Sequence, residues 1–390
     1  MEYPEERYYK LNQLLLSISG LSPYQSKPSA FLIRFSFTIV MLSSLFVQIS
    51  SMCTSDITLD YMVDGMQEFI IVLGPMVNIY TRSSYVDKFG ELFERMSKNW
   101  ALQKTQYEYE ILHQYAKISR LLTLSFIIIS YTVIVSYTVW MFTPEMLDIV
   151  LPRNESRPRK QPFKNNNYYF VDEDEYLYSI RFHACLVMFM LPPIYVTCCS
   201  LFVTFTLHIC GMCELLGYRA ERLFCVIEDK TVFNLTQRSQ ITLKNIAGFV
   251  QQHHNIIQFV DIVGTSHTIS FLTDLIGIVI LMSLTLIQLL TISSFEKALR
   301  SISVAVIALS YVFISCFMGQ QITDLSSNIS EKLFNSTWYN AVISQQKALL
   351  IIMMRRYHPL VLTACRLYVM SLQNYGMVKI KYAVLGTRES

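Results

Sequence analysis

Seven long apolar stretches constrain this chain more than any other feature. They run over Phe31–Cys53, Met62–Tyr80, Leu121–Phe142, Phe182–Cys213, Ile269–Ile292, Ile302–Met318 and Pro359–Leu385. Each is long enough, or nearly so, to span a hydrocarbon core of about 30 Å at about 1.5 Å per helical residue. Inside hydrocarbon every backbone N–H and C=O needs a partner, and for apolar runs of this length the α-helix supplies them. The expectation is an all-α membrane protein with seven transmembrane helices.

Lys and Arg are spread unevenly over the connections. The first connection has Asp56 and Asp60 and no basic residue, whereas the second carries Arg82, Lys88, Arg95, Lys98, Lys104, Lys117 and Arg120. A cytoplasmic excess of Lys and Arg is the main orientation signal for membrane chains. It places the N-terminus in the cytoplasm and, with seven spans, the C-terminus outside, the reverse of a G-protein-coupled receptor. The third-to-fourth connection opposes this with Arg153, Arg157, Arg159, Lys160, Lys164 and Arg181. It also holds Asp172, Glu173, Asp174 and Glu175, and long connections translocate with less regard to charge. In this threading Asn154 begins the only extracellular glycosylation sequon, while those at Asn234, Asn328 and Asn335 face the cytoplasm.

With 52% hydrophobic and 16% charged residues the chain is no ordinary soluble enzyme, and a net charge of +3 gives no footing for nucleic acid. A GxSxG elbow, an HExxH helix and a phosphate-cradling glycine loop are all missing from the sequence. No cofactor is implied. Most of the nine cysteines fall inside spans, where Cys acts as a small apolar residue. Only Cys53 and Cys185 lie near the outer face, so any bridge would join those two. Cys210 and Cys213, with His208 nearby, form half of a zinc pattern, but no second ligand pair accompanies them and no metal is expected.

Several polar features interrupt the spans. The second carries Asp64, Gln67, Glu68 and Pro75, which suits a helix whose outer half borders a wet cavity. The fourth contains Pro192 and Pro193, either a tolerated kink or an opening for a ligand. Below the fifth span, Leu243, Ile246, Ala247, Val250, His254, Ile257 and Val260 recur at helical spacing. They predict a helix that continues the fifth span and packs on residues 331–350, with His253 and His254 in its packed surface. Read as one helix, the seventh span gathers Thr363, Arg366, Gln373, Asn374 and Lys381 within an arc of about 100°, with Lys379 opposite. Such a stripe must face protein or water. Val384 and Leu385 edge it near the outer end, where apolar side chains can close a pore by dewetting.

The C-terminal half carries a family resemblance. Tyr311, Val312, Phe313, Cys316, Gly319, Gln320, Asp324, Ser326 and Trp338 resemble the closing signature of insect odorant receptors. Met354, Arg355, Arg356, Pro359, Leu360, Leu362, Thr363, Ala364, Met370, Ser371 and Leu372 continue it, and His208–Gly211 and His254–Phe259 look like the same family upstream. The resemblance implies an odorant-gated, non-selective cation channel, tetrameric, with the seventh helix at the central pore. The extra intracellular insertion of the shared co-receptor is missing, so the chain looks like a tuning subunit that assembles with that co-receptor. The family's small volatile ligands bind among the outer halves of the second, third, fourth and sixth spans. Here that implies Phe69, Ser136, Tyr137, Trp140, Met188 and Tyr311, of which Ser136, Tyr137 and Trp140 share a helical face. Gln373, Asn374, Lys381, Val384 and Leu385 are the implied pore and gate residues. One departure matters, because Lys381–Leu385 replaces the family's Ser-Tyr-Phe-like run.

The expected organisation is a cytoplasmic segment at 1–30 and helices one to four at 31–213, forming most of the ligand-binding bundle. A cytoplasmic helical anchor follows at 214–267, helices five and six at 268–318, and the rest of the anchor at 319–358. The pore helix and extracellular C-terminus occupy 359–390. Three other readings fit less well. A G-protein-coupled receptor needs the reverse threading and an Asn-Pro-x-x-Tyr motif that the chain lacks. A secondary transporter needs internal repeats. A gustatory receptor-type channel lacks its expected Thr-Tyr-rich ending here.

Overall fold

The computed structural model describes residues 6–54, 59–102, 104–150, 175–224, 235–291 and 295–377. Its helices are α1 (Glu6–Ile18), α2 (Lys27–Thr54), α3 (Leu59–Ser83), α4 (Val86–Ala101), α5 (Gln106–Val150), α6 (Leu177–Glu221), α7 (Leu235–Thr291), α8 (Phe295–Phe334) and α9 (Ile343–Met353). A short antiparallel hairpin, β1 (Thr363–Ala364) and β2 (Tyr368–Val369), leads to a last helix, α10, at residues 372–377 of the described chain. Six helices, α2, α3, α5, α6, α7 and α8, have the length and apolarity to cross a membrane.

Helix α6 is the axis of the bundle, touching α1, α2, α3, α5, α7 and α8. Its side chains from Ser200 to Cys213 are all buried, the mark of a helix packed on every side. Around that half lies the main core, where Leu201, Phe205 and Leu216 meet Leu16 of α1, Phe89 and Met96 of α4, Phe259 of α7 and Leu333 of α8. Two smaller clusters hold the other half together. Phe37, Ile79, Ile194 and Cys198 form one, and Met41, Leu45, Val72 and Val187 the other. Helix α2 shows the inversion expected in lipid. Its exposed side is Phe31, Phe35, Leu42, Phe46 and Ile49, while Ser44, Gln48 and Ser51 point inward.

Local sequence explains several boundaries. Gly20 sits at φ +66°, with its N–H on the Ser17 carbonyl and the Leu21 N–H on the Leu16 carbonyl. That is the Schellman ending of α1, closed by contact between the fully buried Leu16 and Leu21. Helix α1 is then tied into the bundle by Asn12, which donates to Thr204 and accepts from Thr123. Thr105 and Glu108 make a capping box at the start of α5, and the same carboxylate pairs with Arg219 of α6 at 2.6 Å. Pro75 has no N–H for the Ile71 carbonyl one turn earlier. The Tyr195 hydroxyl of α6 supplies the missing donor at 3.3 Å. Gly74 makes room for it, since a Cβ there would lie 2.7 Å from the Tyr195 oxygen.

The structure decides one alternative that the sequence left open and departs from the sequence reading at three places. Helix α6 stays helical through Pro192 and Pro193, both buried, and Ser19, just beyond α1, donates to the Pro193 carbonyl, so the pair is packed rather than open. Helix α7 does continue the fifth span, but its buried face is Ile246, Phe249, Ile256, Phe259, Val260 and Val263. Leu243, Ala247, Val250 and His254 of the expected stripe are exposed, and the helix packs mainly on α3, α6 and α8. Arg82 and Arg181, counted as loop charges for threading, are both buried. Finally, residues 359–371 are not helical. Thr363 and Arg366 therefore cannot share a helical face with Gln373 and Asn374.

Candidate functional site

The expected ligand residues lie on four helices. Phe69 of α3 packs against the Met41, Leu45, Val72 and Val187 cluster, and the half-buried Met188 follows Val187 on α6. Tyr137 and Trp140 of α5 form a tilted ring pair with centroids 5.5 Å apart. Ser136 and Trp140 are exposed on the flank of a single chain, while Tyr137 is half-buried and lies within electrostatic range of Glu68 and Arg300. The structure thus joins Tyr137 to Trp140 and sets Phe69 beside the α2–α3–α6 contact. Cys53 and Cys185 are both free thiols.

Next to Tyr137 lies a polar cluster between α3, α7 and α8. Arg300 pairs with Asp64 and stands 3.8 Å from Glu68. Gln288 donates to Asp64, Ser301 donates to Gln288 at 2.6 Å, and Gln67 donates to Thr285 at 3.2 Å. Charges and amides inside a membrane bundle need this kind of mutual satisfaction, because lipid offers none. The polar residues of the second span therefore serve helix packing at least as much as a wet cavity.

A second network surrounds Tyr311. Its hydroxyl donates to Asp274 Oδ2 at 2.6 Å, and Asn78 Nδ2 donates to Asp274 Oδ1 at 2.6 Å. Arg82 reaches Asn78 Oδ1 through Nε at 3.4 Å, is fully buried, and supplies the positive charge facing Asp274. Its two terminal nitrogens have no hydrogen-bond partner among the described residues. Sequence reasoning placed Tyr311 at the site but missed Asn78, Arg82 and Asp274 as its partners. The isolated Asp274 in an apolar helix was the available signal, since such a carboxylate demands a partner.

The hairpin before α10 is fastened by side chains of α7 and α8. Thr268 Oγ1 donates to the Thr363 carbonyl and accepts from the Cys365 N–H at 2.6 Å. Thr323 Oγ1 donates to the Leu360 carbonyl and Ser326 Oγ accepts from the Leu360 N–H. The turn residues Cys365 and Arg366 have φ of 50° and 59°, a left-handed conformation costing about 1–2 kcal/mol each for residues with a Cβ. Those contacts hold them there. Ser371 then caps α10, its hydroxyl accepting from the Asn374 N–H at 3.2 Å. Gln373 is exposed in the first turn, and Asn374 donates to the Val369 carbonyl at 2.8 Å. Lys381, Val384, Leu385 and Asn154 lie outside the described residues.

Comparison with known proteins agrees with this architecture. The sequence model described as 7tm Odorant receptor matches residues 58–382. Among curated Drosophila melanogaster proteins, Odorant receptor 22c is 23% identical over 40% of this chain and 39% of its own length. Odorant receptor 85f is 30% identical over 32% and 31%, and Odorant receptor 22a is 21% identical over 55% and 53%. The aligned portions thus span between about a third and a half of those relatives. In fold the chain is similar to olfactory receptor OR5 of Machilis hrabei, solved in complex with eugenol, with a TM-score of 0.78 at 14% identity, covering 99% of this chain and 98% of that one. A second structure of the same receptor gives 0.74. With its family signature over most of its length and six membrane-length helices, this chain belongs to the odorant receptor family of membrane proteins.

Proposed function

We propose that this chain is a tuning subunit of an odorant-gated, non-selective cation channel. It assembles with a co-receptor subunit as a heterotetramer in the plasma membrane of a sensory-neuron dendrite, its apolar flanks in lipid. The N-terminus is cytoplasmic and the C-terminus extracellular. What carries the reading is the whole-chain likeness in fold to a receptor solved with the small aromatic molecule eugenol. A volatile ligand is bound by dispersion and shape among Phe69, Ser136, Tyr137, Trp140, Met188 and Tyr311, as aromatic and Met side chains with few polar groups suit. The seventh helix lines the pore with Gln373, Asn374 and Lys381, and Val384 or Leu385 closes it.

The test is current in cells expressing this chain with and without a co-receptor, against a broad volatile panel. Trp140→Ala is expected to reorder the effective odorants and weaken the best by about tenfold or more, the scale of one lost aromatic contact, while surface expression persists. An unchanged response spectrum for substitutions at all six positions removes this pocket. The threading has its own check. Glycosidase treatment shifts the mobility of the chain only when Asn154 is intact, and glycan on Asn234 or Asn335 overturns the cytoplasmic N-terminus.

A further inference from the structure

We propose that Asp274 is the positioning residue that carries odorant occupancy beside Tyr311 to the seventh helix. The inference rests on the channel reading above and names how the ligand site of that channel reaches its pore. Asp274 touches no ligand. It acts through Tyr311, whose hydroxyl it holds at 2.6 Å.

Three observations carry it. First, Asp274 joins three helices at one carboxylate, with Tyr311 of α8 on one oxygen and Asn78 of α3 on the other, each at 2.6 Å. The buried Arg82 supplies the countercharge. A carboxylate in an apolar bundle is not released to solvent when one bond breaks, so it must follow its partners or find new ones. A ring movement at Tyr311 is therefore felt at α7.

Second, the same helix holds the hairpin. Thr268 lies less than two turns from Asp274 and makes both the Thr363 and the Cys365 backbone contacts. Between them, Ser270 meets Thr81 of α3 at 3.1 Å. A straight helical segment of this length moves as one body, so displacement at Asp274 is displacement at Thr268. Third, the hairpin is a strained element with a short connection to α10. Cys365 and Arg366 keep positive φ, and Cys365 does so while its N–H is bonded to Thr268. Ser371, the cap of α10, follows directly on Met370. The path from ligand site to pore helix thus runs from Tyr311 through Asp274 and Thr268 to Cys365 and Ser371.

The experiment compares concentration–response curves of the wild-type chain, Tyr311→Phe, Asp274→Asn and Thr268→Val, each co-expressed with a co-receptor and normalised to surface protein. Tyr311→Phe keeps the ring and loses only the hydroxyl. Thr268→Val keeps the shape and loses both hairpin bonds. Both are expected to lower maximal current about tenfold, equal to about 1.4 kcal/mol in the opening equilibrium, and Thr268→Val, which lies outside the ligand set, to keep the rank order of odorants as well. Because Asp274→Asn strands the Arg82 charge, adding Arg82→Gln should recover part of its current. A merely structural role predicts lower surface protein with normal current per receptor. That outcome, or wild-type maximal current in both Tyr311→Phe and Thr268→Val, overturns the proposal. A wild-type chain that answers no odorant overturns the channel reading and this inference with it.

Discussion

Replacing Gly319 with alanine is expected to abolish odorant-evoked current while leaving the helical bundle in place. The hairpin crosses α8 at this glycine so closely that an added Cβ would lie 2.3 Å from the Met370 carbonyl oxygen and 2.7 Å from its Cβ. The first obstacle is backbone, so no rotamer change relieves it. Overpacking of this kind costs about 1–3 kcal/mol or more. Here the relief would come from lifting the hairpin off Thr323, Ser326 and Thr268, which takes with it the cap of α10. Gly248→Ala on α7 is the matched control, because nothing stands within 4 Å of its added Cβ. A helix-interior Gly→Ala change without contacts is neutral or favourable by up to about 1 kcal/mol. Circular dichroism of the purified subunit should match wild type for both variants, while current survives only in Gly248→Ala. Full current from Gly319→Ala would mean that the close crossing does not matter to gating.

Arg300→Gln is expected to destabilise the bundle by about 3 kcal/mol, the lower end for breaking a buried ion pair, since a third of the Arg300 side chain stays exposed. The loss falls on Asp64, whose side chain is 5% exposed and would keep the Gln288 amide but lose the guanidinium that pairs with it. Surface expression should drop several-fold through quality control. Neutralising the partner as well, in Asp64→Asn with Arg300→Gln, should restore much of it, because a neutral amide pair can still bond to Gln288. Thermal unfolding in detergent and surface labelling both read the effect. If the double variant is worse than Arg300→Gln alone, the pair is not the source of stability at this end of the bundle.

How far each feature could be read from the sequence depends on the range of the interaction that makes it. Six apolar segments became membrane-length helices because burial in lipid depends on each segment's own side chains. The Thr105–Glu108 box and the Gly20 ending of α1 are equally local, each closed by bonds within a few residues. The Tyr311–Asp274–Asn78 junction is not, because its partners lie 37 and 196 positions apart. Arg82 illustrates the limit. Its place just beyond an apolar run reads as a cytoplasmic charge, yet α3 carries it inward against Asp274.

The chain's own residues therefore decided the class of fold, the positions of six membrane helices and, through the closing signature, the family. The tertiary structure decided which face of each helix turns inward, and it alone decided the shape of residues 359–371. That stretch is apolar enough to continue as helix, and Cys365 and Arg366 carry none of the Gly or Asn that signals a tight turn. It becomes a hairpin because Thr268, Thr323 and Ser326 take up its backbone polar groups and Gly319 leaves it room. Each of those residues lies on another helix, so a conformation unfavourable in isolation is held by partners that the segment itself cannot supply.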